Sequence, residues 1–375
     1  NRTVLFRQAS AGTRAQYFDL VPASTRGASD TFFSSDWPNG NYVPRMITGR
    51  VPATTPAQVL AYLNKLSQHE AATNAAPWRK NVLHLAGGRE AGEQLVFQGY
   101  MRSYADSARR ALFGGNVTTV ANAVNGTGSA YIVPQINDGV ALMTYFGHGS
   151  GATIDLEPPL ITELSSGYAQ NGKYPVFIAA GCAIGRSAAA TTRSLCEDWI
   201  LAEGRGAVGW LADSDFDIAY NQHEFLKLMY RLMFRDPAWY GKPVAAIQME
   251  VLRRIQTTPS YSYIPSTLYG QAMMTNITWH GDPALSLFSP DKPDYQFTPG
   301  VAAVSVASVD GRPVLASTPR FNLRLRLSNY GKIEPVRNLR ISVTRTVAVP
   351  GRGNYPLPVA PIVIPYYLQD TTVLV

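Results

Sequence analysis

Two residues that could act as a nucleophile and its base lie in the middle of the sequence. His148 follows the apolar run LMTYFG, and Cys182 follows VFIAAG 34 residues later. That spacing is about the length of a strand, a crossover and a second strand. A thiol needs a base to become a thiolate at neutral pH, and an imidazole can supply one. We therefore expect a catalytic pair, with the Gly149 and Cys182 amides available to stabilise an oxyanion.

Each residue of this pair also has an ordinary interpretation. A lone buried cysteine usually behaves as a small hydrophobic residue, and a lone histidine after a strand usually stabilises a turn. The two together, each at the glycine-flanked end of an apolar run, favour chemistry. Cys196, in the helical stretch SLCEDWILAEG, is expected in the core. A disulfide between the two cysteines would consume the proposed nucleophile.

Buried strands and amphipathic helices must position the pair. Four apolar runs have the length of strands buried on both faces: NVLHLAGG, GVALMTYFGHGSG, YPVFIAAGCAIG and GAVGWLADSDFD. Helical stretches lie around them: TTPAQVLAYLNKLSQHE, residues 93–112, SLCEDWILAEG, NQHEFLKLMYRLMF and KPVAAIQMEVLRRIQ. This alternation predicts an α/β fold with a mostly parallel sheet flanked by helices. In such folds the functional groups collect at the carboxyl ends of the strands.

Two local patterns refine this prediction. The first helix has clear start signals, because Thr54 or Thr55 can cap it and Pro56 suits its first turn. Its apolar residues fall on one face: Val59, Leu60, Leu63 and Leu66. In contrast, the segment TNITW before His280 does not have the pattern of a clean buried strand.

Length and composition limit the class of protein. The chain has 375 residues, of which 46% are hydrophobic, 11% aromatic and 16% charged, so it is not a disordered chain. No apolar run approaches the ~18 residues of a membrane helix. Two cysteines exclude a disulfide scaffold and a four-cysteine zinc site. Because the sequence begins at Asn1 without an initiator Met or an apolar leader, we expect a processed or trimmed piece.

The composition changes after WHGDPALSLF. We assign residues 1–289 to the α/β domain and residues 290–300 to a proline-punctuated linker. Beyond the linker, FNLRLRLSN and NLRISVTRTVAV alternate apolar and polar residues without a helical period. We predict that residues 301–375 form a separate immunoglobulin-like β-sandwich, cut short at Val375.

The formal net charge of +7 belongs mostly to this C-terminal segment. Residues 301–375 hold nine Lys/Arg and three Asp/Glu, whereas residues 1–300 hold 24 and 23. Arg324 and Arg326 take outward positions of an alternating strand. A solvated face and an anionic cell-surface partner both explain the surplus. No basic stripe interleaved with aromatic residues points to nucleic acid.

Four ordered motifs resemble the gingipain family of cysteine peptidases, which has a caspase-like fold. In that group an apolar strand precedes His-Gly and another precedes a small residue and Cys, as in LMTYFGHGS and VFIAAGC. SSDWPNGNYVPRMITGRVPATTPAQVLAYLNKL resembles the region upstream of the catalytic half, and TWHGDPALSLF resembles the closing GDP-x-L strand. The resemblance runs from about residue 30 to 288. A β-sandwich after this region is common in the family.

The resemblance implies roles for individual residues. Cys182 would be the nucleophile and His148 the general acid and base, with the Gly149 and Cys182 amides as the oxyanion hole. Some members orient the histidine with an acid directly after the NVLHLAGG-type strand. This sequence departs from that pattern, since LAGGREAGEQ offers Glu90 or Glu93 instead, and we choose Glu93. The helix dipole explains a glutamate in a first helical turn equally well.

The segment GWLADSDFDIAY matches the part of the family that forms a wall of the primary specificity pocket. Its candidate substrate-binding residues are Trp210, Asp213, Asp215 and Asp217. The carboxylates could bind a basic substrate residue or a structural Ca²⁺, which some relatives hold. A solvated loop with one helix-capping aspartate explains them equally well. No other cofactor is expected.

The resemblance implies a secreted bacterial cysteine endopeptidase that forms an acyl-enzyme. We expect protein or peptide substrates and a location outside the cell or on the outer-membrane surface. One relative is the C-terminal signal peptidase, or sortase, of the type IX secretion system. That enzyme removes a sorting domain and joins the product to an amine of a surface glycolipid. Our specific expectation is this role, with secretion-system outer-membrane proteins and an anionic glycolipid as partners. The alternatives are a digestive Arg- or Lys-directed surface protease and a catalytically silent secretion scaffold.

Overall fold

The computed structural model describes residues 29–374, apart from 73–75, 111, 123–131, 188–193, 298–302, 316–317, 335–337 and 365–369. Asn1 and Val375, which carry the expectations about the ends of the chain, lie outside the described residues. The chain divides into two compact units. The first consists of Asn1–Arg110 and Gly115–Ser289, and the second of Ala111–Gly114 and Pro290–Val375. All candidate site residues belong to the first unit.

A six-stranded sheet forms the centre of the first unit. Its strands are β1 (Asn81–Ala86), β2 (Asn116–Ala121), β3 (Leu142–Phe146), β4 (Val176–Ala180), β5 (Gly209–Asp213) and β6 (Ile277–Gly281). They lie in the order β2-β1-β3-β4-β5-β6, and only the β5–β6 pair is antiparallel. Every residue of β3, β4 and β5 is buried, as expected for strands covered on both faces. The predicted α/β fold with a mostly parallel sheet is confirmed.

The helices in the described part of this unit include the five stretches expected from the sequence and two that were not predicted, Val133–Asp138 and Leu268–Asn276. They are α1 (Pro56–Ala71), α2 (Ala91–Arg109), α3 (Val133–Asp138), α4 (Leu195–Leu201), α5 (Ala219–Arg235), α6 (Val244–Thr257) and α7 (Leu268–Asn276). Helix α2 packs against α5, and α1 packs against α4. Across the described residues, no helix combines the length and the apolar character that a membrane span requires.

Helix α1 begins as its sequence predicts but buries a different face. Thr55 accepts a hydrogen bond from the Gln58 N–H, and the Gln58 side chain accepts one from the Thr55 N–H, each at 3.3 Å. This capping box, with Pro56 in the first turn, defines the start of the helix. Three of the four residues on the predicted apolar face are exposed: Val59, Leu60 and Leu63. The buried residues are instead Tyr62, Lys65, Leu66 and His69.

A buried lysine explains why this face of α1 packs inward. The Lys65 ammonium donates hydrogen bonds of 2.9–3.1 Å to the backbone carbonyls of Trp199, Ile200, Arg205 and Ala207. Two of these carbonyls belong to the end of α4, where backbone carbonyls have no partner within the helix. Hydrophobic periodicity could not predict this face, because the carbonyls that stabilise it are distant in sequence.

The prediction for the segment around His280 was wrong. Strand β6 is buried along its whole length and completes the sheet beside β5. His280 Nε2 lies 2.8 Å from the Gly185 carbonyl oxygen, and burial lowers the pKa of His280 to about 4. Strand β6 contains polar residues, so its sequence lacks the apolar pattern of a buried strand. His280 can be buried there because its ring nitrogen hydrogen-bonds to the Gly185 carbonyl, which is distant in the sequence.

The second unit consists of short antiparallel strands. They are β7 (Tyr295–Phe297), β8 (Val304–Ser308), β9 (Phe321–Asn329), β10 (Leu339–Ile341), β11 (Thr344–Val349), β12 (Gly353–Pro358), β13 (Ile362–Ile364) and β14 (Asp370–Leu374). Strand β9 pairs with β7, β8 and β14, while β10 pairs with β13 and β11 with β12. Leu323, Leu325 and Leu327 of β9 are buried and Arg324 is exposed, so the alternation predicted there is confirmed. The pairings in the described residues do not show an immunoglobulin-like sandwich.

Candidate active site

Strand register brings His148 and Cys182 to adjacent turns. In the parallel pair of β3 and β4, Phe146 lies opposite Ala180. The Gly147 N–H then donates a 3.1 Å hydrogen bond to the Ala180 carbonyl, so the alignment continues past the strand ends. Each candidate residue comes two positions after its strand. His148 and Cys182 therefore take corresponding positions at the carboxyl edge of the sheet, where α/β folds place their functional groups.

Glycines allow these two turns to approach each other. A Cβ added at Gly149 would overlap the Ile184 side chain and lie 3.3 Å from the Cys182 carbonyl oxygen. A Cβ added at Gly181 would lie 2.7 Å from the Gly147 carbonyl oxygen. Only a residue without a side chain permits such close backbone approach. The glycines beside the histidine and the cysteine thus have a packing role of their own.

Backbone groups of the loop after β5 hold the turn that contains Cys182. The Cys182 thiol is half-buried and donates to the Asp217 carbonyl at 3.4 Å. Ala183 has a φ of 57°, a left-handed conformation that costs energy for a residue with a side chain. Its N–H donates to the Asp215 carbonyl at 2.9 Å. Cys196 is a free core cysteine, as expected, and burial raises its pKa to about 12.

Glu93, in the first turn of α2, reaches the imidazole of His148. Both carboxylate oxygens lie 3.1 Å from His148 Nε2. Because an ionised carboxylate only accepts hydrogen bonds, Nε2 carries a proton and Nδ1 is the basic nitrogen of the neutral ring. The Arg89 N–H donates to Glu93 at 3.0 Å and is the main cause of the lowered pKa of Glu93. Solvent screens the pair, since the two side chains are 36% and 38% exposed.

The same helix contacts the imidazole a second time. The ring centroids of Phe97 and His148 are 6.2 Å apart, with an angle of 64° between the rings. Phe97 also packs against Phe146 at the end of β3, with a centroid separation of 4.9 Å. Residues 93 and 97 are four positions apart and lie on one helix face. Helix α2 therefore supplies both a charged and an aromatic contact to His148.

Asp155 and Tyr145 hold the backbone of the His148 turn, and neither was identified from the sequence. Asp155 Oδ2 accepts hydrogen bonds from the His148 N–H at 2.8 Å and from the Gly88 N–H at 3.0 Å. The Tyr145 hydroxyl donates to the His148 carbonyl and accepts from the Asp155 N–H at 3.2 Å. These bonds join the turn after β3 to the turn after β1. The sequence has no distinctive pattern that identifies these two residues. For Asp155, an acidic residue seven positions after a histidine is too common to indicate a role.

Gly149, a candidate oxyanion donor, lies in a short bridge just after His148. Gly149 pairs with Ile154 in an isolated antiparallel bridge. The residues on either side make the hydrogen bonds of that bridge, at 2.9 Å and 3.3 Å. Gly149 thus occupies the non-hydrogen-bonded position of the bridge. Its N–H takes no part in the bridge.

Two of the three candidate specificity aspartates are buried. Gln222 donates to Asp213 Oδ2 and the Ile218 N–H donates to Asp217 Oδ1, both at 2.7 Å. The other oxygen of each carboxyl has no hydrogen-bond partner among the described residues. Burial raises the pKa of Asp213 to about 7 and that of Asp217 to about 9, and the Asp213 charge adds to the rise for Asp217. Neither side chain presents an exposed carboxylate to a substrate.

The remaining specificity candidates do not join these two in one surface. The Asp215 carboxylate is exposed and bound to Arg186 at 2.9 Å. Trp210 is fully buried, with its ring 4.3 Å from that of Phe177. In the part of the chain that the structure describes, no three His, Cys, Asp or Glu side chains are arranged to hold a metal ion. That part of the structure therefore offers no support for Ca²⁺ at the aspartates.

Comparison with known structures finds the same fold in gingipains. A crystal structure of the Arg-specific cysteine proteinase gingipain R (RGPB) has a TM-score of 0.58 and 13% identity, with coverage of 94% of this chain and 80% of that chain. A complex of Porphyromonas gingivalis RgpB pro- and mature domains has a TM-score of 0.55 and 13% identity, with coverage of 94% and 82%. A structure described only as a protease has a TM-score of 0.58 and 15% identity, with coverage of 95% and 81%. At these identities the likeness establishes the fold alone.

The family assignment rests on the sequence profile. A search of curated proteins gives no significant match. Residues 4–288, most of the chain and nearly all of the first unit, match the profile of Peptidase family C25. The chain therefore belongs to peptidase family C25, the gingipain family of cysteine peptidases.

Proposed function

We propose that the protein is a cysteine endopeptidase in which Cys182 attacks the peptide bond and His148 transfers protons. One observation carries the proposal: the two residues take corresponding positions after adjacent parallel strands, and Glu93 lies 3.1 Å from Nε2 of the imidazole. Membership of family C25 supports this assignment and makes proteins or peptides the substrates.

The proposed reaction passes through a thioester. The Cys182 thiol gives its proton to His148 Nδ1, and Sγ attacks the scissile carbonyl carbon. The Gly149 and Cys182 amides donate to the oxyanion that forms. The imidazolium, held by Glu93, then protonates the leaving amine as the C–N bond breaks. His148 next removes a proton from water, which hydrolyses the thioester and restores the thiol.

Two cysteine variants test the proposal, because the chain contains one half-buried and one fully buried thiol. Iodoacetamide is expected to alkylate Cys182 in the wild type and to abolish cleavage of a denatured casein substrate. Cys182→Ala is expected to abolish both alkylation and cleavage, whereas Cys196→Ala retains both. Casein cleavage by the Cys182→Ala variant at the wild-type rate would overturn the assignment.

A narrower role is part of the proposal: removal of C-terminal sorting domains from secreted proteins at the bacterial outer-membrane surface. In that role the acyl group passes to an amine of an anionic glycolipid, and outer-membrane secretion proteins are the partners. At 13% identity, the likeness to gingipain R does not carry a digestive role over to this chain. The basic surplus of residues 301–375 suits an anionic surface.

Mass spectrometry distinguishes transfer from hydrolysis. A substrate protein that ends in a sorting domain is incubated with the enzyme and an excess of glycinamide. Transfer adds the amine to the new C-terminus, while hydrolysis adds water. If only the hydrolysed product forms at every glycinamide concentration, the protein is a peptidase and the transferase role is wrong.

The two alternatives are less well supported by the site. An Arg- or Lys-directed protease needs a free carboxylate in its pocket, but Asp213 and Asp217 are buried and Asp215 is bound to Arg186. A silent scaffold would not need the bond between Glu93 and His148 or a half-buried thiol after the adjacent strand. The experiment with the two cysteine variants also decides between enzyme and scaffold.

A further inference from the structure

An exposed phenylalanine lies directly beside the nucleophile's turn. Phe216 belongs to the loop between β5 and α5, and its side chain is 55% exposed. The residues on either side of it hold the nucleophile's turn: the Asp217 carbonyl accepts from the Cys182 thiol, and the Asp215 carbonyl accepts from the Ala183 N–H. This loop is therefore fixed to the nucleophile while the Phe216 ring faces solvent.

Large apolar side chains from other segments extend this exposed area. The Tyr269 ring, at the start of α7, lies 6.2 Å from the Phe216 ring and is 56% exposed. Tyr220, in the first turn of α5, pairs with Tyr263 at 6.0 Å, and their hydroxyls are 3.4 Å apart. We use the term aromatic surface for the exposed residues Phe216, Tyr220, Tyr263, Leu268 and Tyr269.

Hydrogen bonds hold the loop that carries Phe216 in a fixed conformation. Asn276 Nδ2 donates to the Phe216 carbonyl at 3.1 Å, so the loop is bound to the end of α7 as well as to the nucleophile's turn. A folded protein gains nothing from fixing several aromatic rings in water. Clusters of exposed apolar side chains mark binding sites in soluble proteins, and the rings of Phe216 and Tyr269 form one such cluster.

The charges around the aromatic surface favour an uncharged occupant. Asp215 is paired with Arg186 at 2.9 Å, and Glu224, which faces Tyr220 and Tyr263, is paired with Lys227 at 3.2 Å. Each of these two acidic groups is therefore neutralised by a paired cation. Phe and Tyr side chains bind by burying large apolar area, and the tyrosine hydroxyls remain able to make hydrogen bonds.

We propose that the aromatic surface binds bulky apolar or aromatic side chains of the peptide substrate, close to the bond that Cys182 cleaves. The inference rests on the proposed peptidase function, because it takes the Cys182 thiol as the point of attack. An extended peptide advances by about 3.3 Å per residue. The side chain that contacts Phe216 therefore belongs to a residue near the scissile bond.

A library of tryptic peptides from an unrelated proteome tests the proposal. Wild-type enzyme digests the library, and mass spectrometry compares cleaved with uncleaved sequences. Phe, Tyr, Trp and Leu are expected to be enriched near the cleaved bonds. In Phe216→Ala and Tyr269→Ala, the ratio of cleavage at aromatic-flanked bonds to cleavage at other bonds is expected to fall about five- to thirtyfold, as for central aromatic contacts in interfaces. Phe216→Tyr retains the ratio, because the ring remains.

Leu60→Ala is the matched control, because Leu60 is a similarly exposed apolar residue on α1, with 60% exposure. This variant is expected to keep the wild-type ratio. Wild-type cleavage without aromatic enrichment, or an unchanged ratio in both alanine variants with wild-type thermal stability, would overturn the aromatic surface while the peptidase assignment stands. If the wild type cleaves nothing and iodoacetamide does not label Cys182, both proposals are wrong.

Discussion

Substitution of Asp155 tests how the His148 turn is held. Its carboxylate is 6% exposed and accepts two backbone hydrogen bonds at one oxygen, Oδ2, from the His148 and Gly88 amides. Its other oxygen lies 3.5 Å from Arg89, whose side chain is mostly exposed. Hydrogen bonds to a charged group contribute about 1.5–3 kcal/mol each, whereas an exposed ion pair contributes about 0–1 kcal/mol.

These values predict different effects for two substitutions. Asp155→Ala removes both hydrogen bonds and is expected to lower the free energy of unfolding by about 3–6 kcal/mol. In Asp155→Asn the amide oxygen can occupy the Oδ2 position and keep both bonds in their weaker, neutral form. We expect that variant to lose about 1–3 kcal/mol. Both should lower kcat more than they raise KM, because the displaced backbone carries the catalytic imidazole.

Urea unfolding and steady-state cleavage of a peptide substrate measure the two effects. Asp215→Asn is the control for unfolding, because it removes an exposed carboxylate and should change stability by less than about 0.5 kcal/mol. Equal losses for Asp155→Asn and Asp155→Ala would refute the reasoning, since the single acceptor oxygen is what distinguishes them. So would a loss below about 0.5 kcal/mol for Asp155→Ala.

Three further predictions follow from the site and its surroundings. Glu93→Gln should lower kcat only about two- to fivefold, because its bond to His148 is partly exposed. Peptide-cleavage kinetics measure this effect, with Glu90→Gln as the control, and a loss of kcat beyond about a hundredfold would contradict the prediction. Lys65→Met should destabilise the protein by about 3–5 kcal/mol by leaving buried carbonyls unpaired. The exposed control Lys242→Met should lose less than about 1 kcal/mol in the same urea assay. Equal losses for the two variants would contradict the prediction. The raised pKa of Asp217 means that the folded state keeps its proton at pH values where the unfolded state has lost it, so stability should decrease as pH rises from about 4 to about 9. Urea unfolding at pH 5, 7 and 9 should show a smaller decrease for Asp217→Asn, and an unchanged slope would show that burial of this carboxyl does not control the pH dependence.

Much of the peptidase unit could be predicted because its signals are local. The strands that carry His148 and Cys182 are continuous apolar runs, which strands buried on both faces require. The predicted capping residues of α1 make their hydrogen bonds. Strand β6 and the buried face of α1 could not be predicted in this way. Both bury polar side chains whose partners come from distant segments, as for His280 and Lys65.

The candidate site shows the same division. The residue types and spacing identified His148, Cys182 and the glycines, and Glu93 was selected from two nearby acids. The sequence could not rank the aspartates after β5, because burial and ion pairing decide which of them a substrate can reach. It also could not identify Asp155 and Tyr145, whose function depends on hydrogen bonds to backbone atoms.

By itself, the sequence determined the α/β class, the strand ends that carry His148 and Cys182, and the glycine turns beside them. These properties follow from residue type and periodicity, which do not depend on distant partners. Only the tertiary structure decided that Asp213 and Asp217 are buried and that Phe216 is exposed beside the thiol. Burial and charge pairing are set by whichever residues pack against a side chain. For this site those residues come from strands and helices far apart in the chain.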